Sequence, residues 1–374
     1  MIEHIEIEGF KSLEKVSLDL GALNIFVGTN ASGKSNFLEA LRVLQGIGYG
    51  YTIDEILNGK PKGANSEAWE GIRGGSVYAG FLGRNTVTFR VKASLPSEER
   101  VHYEISISVK GCSVSTETFS VNNAEAYNLP PGYLAKDRSR PGLAQVILNH
   151  ETADILDSFR SRLIDVQTLE PSPSVQRAYS KGSVTFRMGD HGENFAALVK
   201  TILNDDALAS AYISWLKELT PTELDSVEVL PGAAGDWMFA LRRNGRDYPA
   251  PVLSDGTLRF AAIAAAFFQT SLPGTLILEE IESGLHPTRL RLLVELLKSQ
   301  AGKGISQVMA TSHSPYAISW LKEEDYRTVF LCTKDDETGA TSITPFSSVP
   351  RLMELARKQP IADLFAEGWL ESAI

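Results

Sequence analysis

The stretch Gly28-Thr29-Asn30-Ala31-Ser32-Gly33-Lys34-Ser35 reads G-x-x-x-x-G-K-S and lies between a short apolar run, Leu23 to Val27, and a helical pattern, Asn36 to Leu44. A strand, a glycine loop and a helix in that order leave few architectures open, because loop and helix-start amides converge on one point. The spacing predicts a phosphate-binding loop at the end of a buried strand. In that geometry Lys34 neutralises the β- and γ-phosphates of a nucleotide and the Ser35 hydroxyl ligates Mg²⁺. Gly28, Thr29, Asn30, Ala31, Ser32, Gly33, Lys34, Ser35 and Asn36 are the expected nucleotide contacts.

The rest of the chain is consistent with a globular protein large enough to bury a sizeable core, with 374 residues, 43% hydrophobic and 22% charged. No stretch approaches the roughly 18 uninterrupted apolar residues of a membrane span, so no membrane association is expected. The N-terminus alternates polar and apolar residues and lacks the basic start and apolar middle of a signal peptide, which favours the cytoplasm. Cys112 and Cys332 are too few for a disulfide framework or a cysteine metal cluster. A net charge of −10 makes generic polyanion binding poor, so any DNA contact must be local.

In chain order, residues 1–27 suggest three strands, with Lys11 in the turn between the first two. There it either reaches a nucleotide or stays a solvated lysine. A glycine-rich irregular region is expected from Gly46 to about Gly75, then at least four β-like runs between Val77 and Val121. The middle reads mostly helical, best over Asn194 to Leu203 and Ala207 to Leu219, without heptads. Between Asp165 and Arg177 a proline-containing loop is expected, from which Gln167 either touches metal or water or is purely structural. A strand over Asp225 to Leu230 and a hairpin through Asn244-Gly245 follow.

From Pro251 the density of chemical signals rises. Leu253-Ser254-Asp255-Gly256-Thr257 precedes a long apolar helix, and Leu276-Ile277-Leu278 is a buried strand ending in Glu279-Glu280. Two carboxylates at a strand's end suit phosphoryl transfer to water: Glu279 for the metal shell, Glu280 to orient the attacking water. His313 follows the next strand, where an imidazole can stabilise the γ-phosphate. Lys34, Glu280 and His313 are therefore the expected catalytic residues.

Together these pieces resemble the ABC-type ATPases of the RecF and SMC group. The likeness is greater to single-chain ATPases near RecF and to the ATPase domain of the OLD family. The matching motifs are GTNASGKS at Gly28 to Ser35, LSDGT at Leu253 to Thr257, LILEE at Leu276 to Glu280, ESGLHP at Glu282 to Pro287 and TSHSP at Thr311 to Pro315. The resemblance implies an α/β P-loop NTPase fold. Residues 1–45 with 250–374 would form the ABC-type core, residues 46–144 a β-rich lobe and residues 145–249 a mainly helical insertion lobe. It implies ATP and Mg²⁺ as cofactors, the metal held by Ser35 and Glu279, while Gln167 is a metal candidate from the residues alone. It also implies a homodimer in ATP, or a higher oligomer, that sandwiches two nucleotides. Ser254, Asp255 and Gly256 then act in trans as a signature loop, and Ser283, Gly284 and His286 form a D-loop at the seam.

LSDGT departs from the transporter motif, and more than two hundred residues separate it from the phosphate loop, which argues against a transporter subunit. About sixty residues follow His313, too few for an appended acidic nuclease domain, so no intrinsic nuclease is expected. The expectation is an ATP-hydrolysing dimeric clamp, fast or slow in turnover, that recognises DNA or a DNA-bound target and controls a separate effector, in repair or anti-phage defence. The alternative is an ATP-bound scaffold that holds a toxin or nuclease without binding DNA.

Overall fold

In the computed structural model, which describes residues 1–63, 68–129, 137–145, 150–182, 184–219 and 224–369, the alternation at the N-terminus becomes β1 (Ile2–Phe10). Ile5 and Ile7 are fully buried on one face, as a period of two requires. Chain contacts define two units. One comprises Met1–Val166 and Glu324–Met353, the other Gln167–Glu323 and Glu354–Trp369.

In the first unit β1 pairs antiparallel with β2 (Leu13–Asp19). Next come β3 (Leu23–Val27), α1 (Lys34–Tyr49) and α2 (Ile53–Asn58). The strands β4 (Thr86–Ser94), β5 (Arg100–Ser108), β6 (Ser113–Val121) and β7 (Ala124–Leu129) extend the first sheet in the order β2-β1-β4-β5-β6-β7. Helix α3 (His150–Ile164) packs on α1. Strand β3 pairs in parallel with the late strand Val329–Lys334, which forms a hairpin with Thr341–Pro345. Phe26 of β3 lies between Phe37 of α1 and Phe330, with ring centroids 4.6 and 5.0 Å away. These three rings are fully buried and fix the strand and helix that flank the phosphate loop. Each contributes about 1.5–3 kcal/mol by burial.

Two expectations change here. The region after Leu44 is not irregular at once: α1 continues to Tyr49. Its Gly46 lets α2 approach, since a β-carbon there would fall 2.8 Å from Ile56 Cγ1. Residues 76–83 form two short 3₁₀ turns, not a strand, so three strands occupy residues 86–121 and β7 follows. The glycines at 75, 80 and 83 interrupt any ladder there.

In the second unit β8 (Val166–Leu169) replaces part of the expected proline loop, and the prolines instead open α4 (Pro173–Gln176). Helices α5 (Phe195–Leu203) and α6 (Asp206–Leu219) agree closely with the periodicity. Strands β9 (Ser226–Pro231), β10 (Trp237–Arg243) and β11 (Arg246–Pro249) form a small antiparallel sheet. Helix α7 (Asp255–Phe267) is buried from Gly256 onward. The next elements are β12 (Thr275–Leu278), α8 (Pro287–Ala301) and β13 (Gln307–Ser312). Strands β12 and β13 pair in parallel, Thr275 opposite Gln307 to Leu278 opposite Ala310, and every residue of both is buried. Burial on both faces is what a parallel sheet covered by helices demands. Among the described residues no helix is long and apolar enough to cross a membrane.

Candidate active site

In the first unit the loop from Gly28 to Gly33 turns sharply into α1. Ala31 and Gly33 have φ of 65° and 101°. At Gly33 a side chain would both strain the backbone and collide with Thr341 Oγ1. Lys34, the first helical residue, folds back over the loop, and its Nζ donates to Gly28 O and Thr29 O at 2.7 Å each and to Ser32 Oγ at 3.3 Å. Thr29, Asn30 and Ala31 are exposed, whereas Gly28 and Ser32 are buried. The donor set fits a polyphosphate: a lysine ammonium held at the loop mouth and the positive N-terminal end of α1, with Ser35 in its first turn.

The loop is braced by residues that its motif does not contain. Thr341 Oγ1 donates to Ser32 O at 3.0 Å, so its proton is committed. Ser12 must then donate to Thr341 Oγ1 at 2.7 Å, and Ser12 Oγ accepts from Asn36 Nδ2 at 2.6 Å. The Thr341 amide also donates to Ser12 O at 2.7 Å. This chain of donors joins Asn36, Ser12, Thr341 and Ser32, and so ties the β1–β2 turn and a hairpin strand to the loop. Lys11, at φ 50° in that turn, points at α1. Its Nζ pairs with the Glu39 carboxylate and donates to Arg73 O at 2.9 Å, while Arg73 Nε donates to Glu39 at 2.8 Å.

In the second unit the two expected carboxylates leave the end of β12. Glu280 has φ 48°, its amide donates to Thr311 Oγ1 at 3.0 Å, and the Ile281 amide donates to Thr311 O at 3.0 Å. Arg259 of α7, 6% exposed, holds this turn from below. It donates through Nη2 to Glu279 O and Glu280 O, 3.0 Å each, and through Nη1 to Pro171 O at 3.1 Å. Burial lowers the pKa of its guanidinium, with Glu170, Glu280 and Glu282 opposing. The Glu280 side chain itself is exposed. His313 follows β13, and its Nδ1 lies 2.8 Å from Glu282 Oε1.

The signature and D-loop residues come together in this same unit. Ser254 caps α7, its Oγ accepting from the Thr257 amide at 3.3 Å and from Arg289 Nη1 at 3.1 Å. Gly256 packs so closely on the D-loop that a β-carbon there would fall 2.7 Å from Gly284 O. Asp255 pairs with Arg177 at 2.5 Å, and the same guanidinium donates to Leu253 O. Ser283 donates its amide to Glu280 O at 2.9 Å, and His286 caps α8, its Nδ1 accepting from the Thr288 amide. Gln167 does not join this group. It is buried, its Nε2 donates to Met188 O and its Oε1 accepts from Gln269, each at 2.7 Å. The amide is thus spent inside the unit. Thr341, Arg259 and Glu282 are the residues that motif reading missed or left without a role. Arg259 acts on backbone carbonyls and Thr341 across 309 positions of chain, and only Glu282 lies inside a recognised motif.

Comparison with known proteins agrees with this geometry. A family model described as "AAA domain, putative AbiEii toxin, Type IV TA system" matches residues 133–319. A second, "AAA ATPase domain", matches residues 1–58. A protein of Helicobacter pylori named "ATP/GTP phosphatase" is 22% identical over 363 residues, which cover 90% of this chain and 93% of that protein. Among solved structures, an SmcHead bound to the C-winged helix domain of ScpA has a TM-score of 0.56 at 16% identity, covering 94% of this chain and 99% of that one. An Smc head domain bound to the C-terminal domain of ScpA, derived from Pyrococcus furiosus, has a TM-score of 0.53 at 11% identity, covering 95% and 99%. These likenesses carry the P-loop ABC-type ATPase fold. The first family model spans half of the chain, and the chain therefore belongs to this AAA-domain family of ATPases, with a fold like that of the Smc heads.

Proposed function

We propose that the chain is an ATP-driven dimeric switch that recognises DNA or a DNA-bound target and controls a separate effector protein. The observation that carries this reading is the packing of Gly256 against Gly284 O, with Ser254 at the start of α7. It presents a serine hydroxyl, a glycine amide and the positive end of a helix as one anion-binding surface beside the D-loop. A second chain's γ-phosphate is the ligand for that surface. Ser254, Asp255 and Gly256 act in trans, with Ser283, Gly284 and His286 at the seam. Lys34 and the loop amides bind the phosphates, Ser35 and Glu279 hold Mg²⁺, Glu280 orients the attacking water and His313 meets the γ-phosphate. Bound Mg²⁺ supplies charge neutralisation as the phosphoryl group transfers. ATP makes the trans contact and ADP lacks it, so ATP shifts the population to the closed dimer and hydrolysis releases it.

The test is sedimentation velocity in Mg²⁺ and ATP. Wild type is expected to dimerise, Lys34→Ala to bind no ATP, and Ser254→Arg to bind ATP as a monomer. Unchanged association of Ser254→Arg removes the trans role. DNA affinity that falls steeply with salt supports phosphate contacts. The net charge of −10 favours the scaffold reading instead, and absence of DNA binding at low salt selects it.

A further inference from the structure

Glu282 has no role in the reading above, yet it makes the most specific contact to a proposed catalytic side chain. Three consecutive residues after β12 are tied to the end of β13. Glu280 and Ile281 donate their amides to Thr311, and Glu282 reaches His313. One carboxylate oxygen, Glu282 Oε1, accepts from the His313 backbone amide at 2.6 Å, and His313 Nδ1 lies 2.8 Å from the same oxygen. Two contacts to one atom, from the backbone and the ring of the same residue, hold the Nδ1 edge of the histidine against Glu282. The Glu282 side chain is 9% exposed and that of His313 is 41% exposed, so the anchor is buried while the ring reaches solvent. The other carboxylate oxygen, Oε2, is buried without a hydrogen bond among the described residues.

We infer that Glu282 is the positioning residue for His313. An ionised carboxylate only accepts hydrogen bonds, so the ring proton stands on Nδ1 and Nε2 is left as the working atom. The His313 side chain is 41% exposed, and an unprotonated Nε2 is able to accept from water or, once protonated, to donate to a phosphate oxygen. Glu282 lies two residues beyond Glu280 on the same turn, so the carboxylate that orients water and the histidine are set by one short hydrogen-bonded segment. The inference deepens the proposed ATPase role of His313 and rests on that reading for its kinetic part.

The experiment uses the full chain labelled with [¹⁵N]histidine, without nucleotide and at mildly alkaline pH, with the His313 ring signals identified by their loss in His313→Ala. Wild type is expected to show a protonated Nδ1 and an unprotonated Nε2. Glu282→Ala is expected to revert toward the Nε2–H form that free imidazole prefers, and Glu282→Gln, whose carbonyl oxygen accepts the same two bonds, to retain Nδ1–H. In ATP hydrolysis Glu282→Ala is expected to lose roughly 10-fold or more in kcat with little change in KM. Glu282→Gln is expected to recover most of that loss, and Glu282→Ala/His313→Ala to be no slower than His313→Ala alone. A wild-type ring protonated on Nε2, or single losses that multiply in the double variant, overturns the inference. If the wild type hydrolyses no ATP, the proposed function fails, while the nucleotide-free spectrum still decides the tautomer.

Discussion

Replacing Thr341 by valine removes one hydroxyl and preserves the shape of a side chain that is 4% exposed. The hydroxyl is both donor to Ser32 O and acceptor from Ser12, so two hydrogen bonds vanish and two partners lose their mates. At about 0.5–1.5 kcal/mol each, the loss is about 1–3 kcal/mol. For units of this size that lowers the melting temperature by roughly 2–10 °C. The phosphate loop takes part of the loss as freedom that a nucleotide must remove on binding. A share of about 1.4 kcal/mol weakens ATP roughly 10-fold. Thermal melting and isothermal titration of ATP into Thr341→Val, beside Thr341→Ser as the variant that keeps the hydroxyl, measure both effects. A valine variant with wild-type melting temperature and ATP affinity refutes the reasoning that this side chain braces the loop.

Two further outcomes are expected. Glu280→Gln should lose roughly 10²-fold or more in ATP turnover and accumulate as an ATP-bound dimer, seen as a long-lived larger species on size exclusion in ATP; wild-type turnover removes Glu280 from catalysis. Burial pushes the Cys332 thiol from 9.0 to about 12, with Lys34 opposing. A thiol reagent at mildly alkaline pH should therefore titrate the half-buried Cys112 in the native chain and Cys332 only in denaturant. Because the folded value is the higher one, the stability from the buried thiol is complete below pH 9.0 and is lost as pH rises toward about 12. Equal labelling of both cysteines in the native chain contradicts the burial.

Contiguous chemistry was legible. The phosphate loop, the two carboxylates after β12 and the serine cap of α7 each lie within a few residues, and local geometry places them as their spacing implies. What the chain joins across distance was not. Thr341 stands 309 positions from Ser32, and no periodicity links a hairpin threonine to a glycine loop. Arg259 lay inside an apolar helical run, where a lone arginine reads as an exposed residue, yet the fold spends it on three carbonyls. The glycines at 46 and 48 read as a break in α1, because sequence shows the lost propensity but not the neighbour that uses the space. Gln167 was misleading for the converse reason: an amide beside prolines resembles a reaching side chain until Met188 and Gln269 are seen to occupy it.

The Arg259 clamp grips only main-chain oxygens, so it is indifferent to which side chains occupy positions 171, 279 and 280. The acidic pair can therefore be exchanged by mutation, or tuned over evolution, while its scaffold keeps its place. The constraint falls on the side chains that hold the turn, Thr311 and above all Arg259, where lysine, with one nitrogen in place of a planar fork, has no geometry to span the three acceptors.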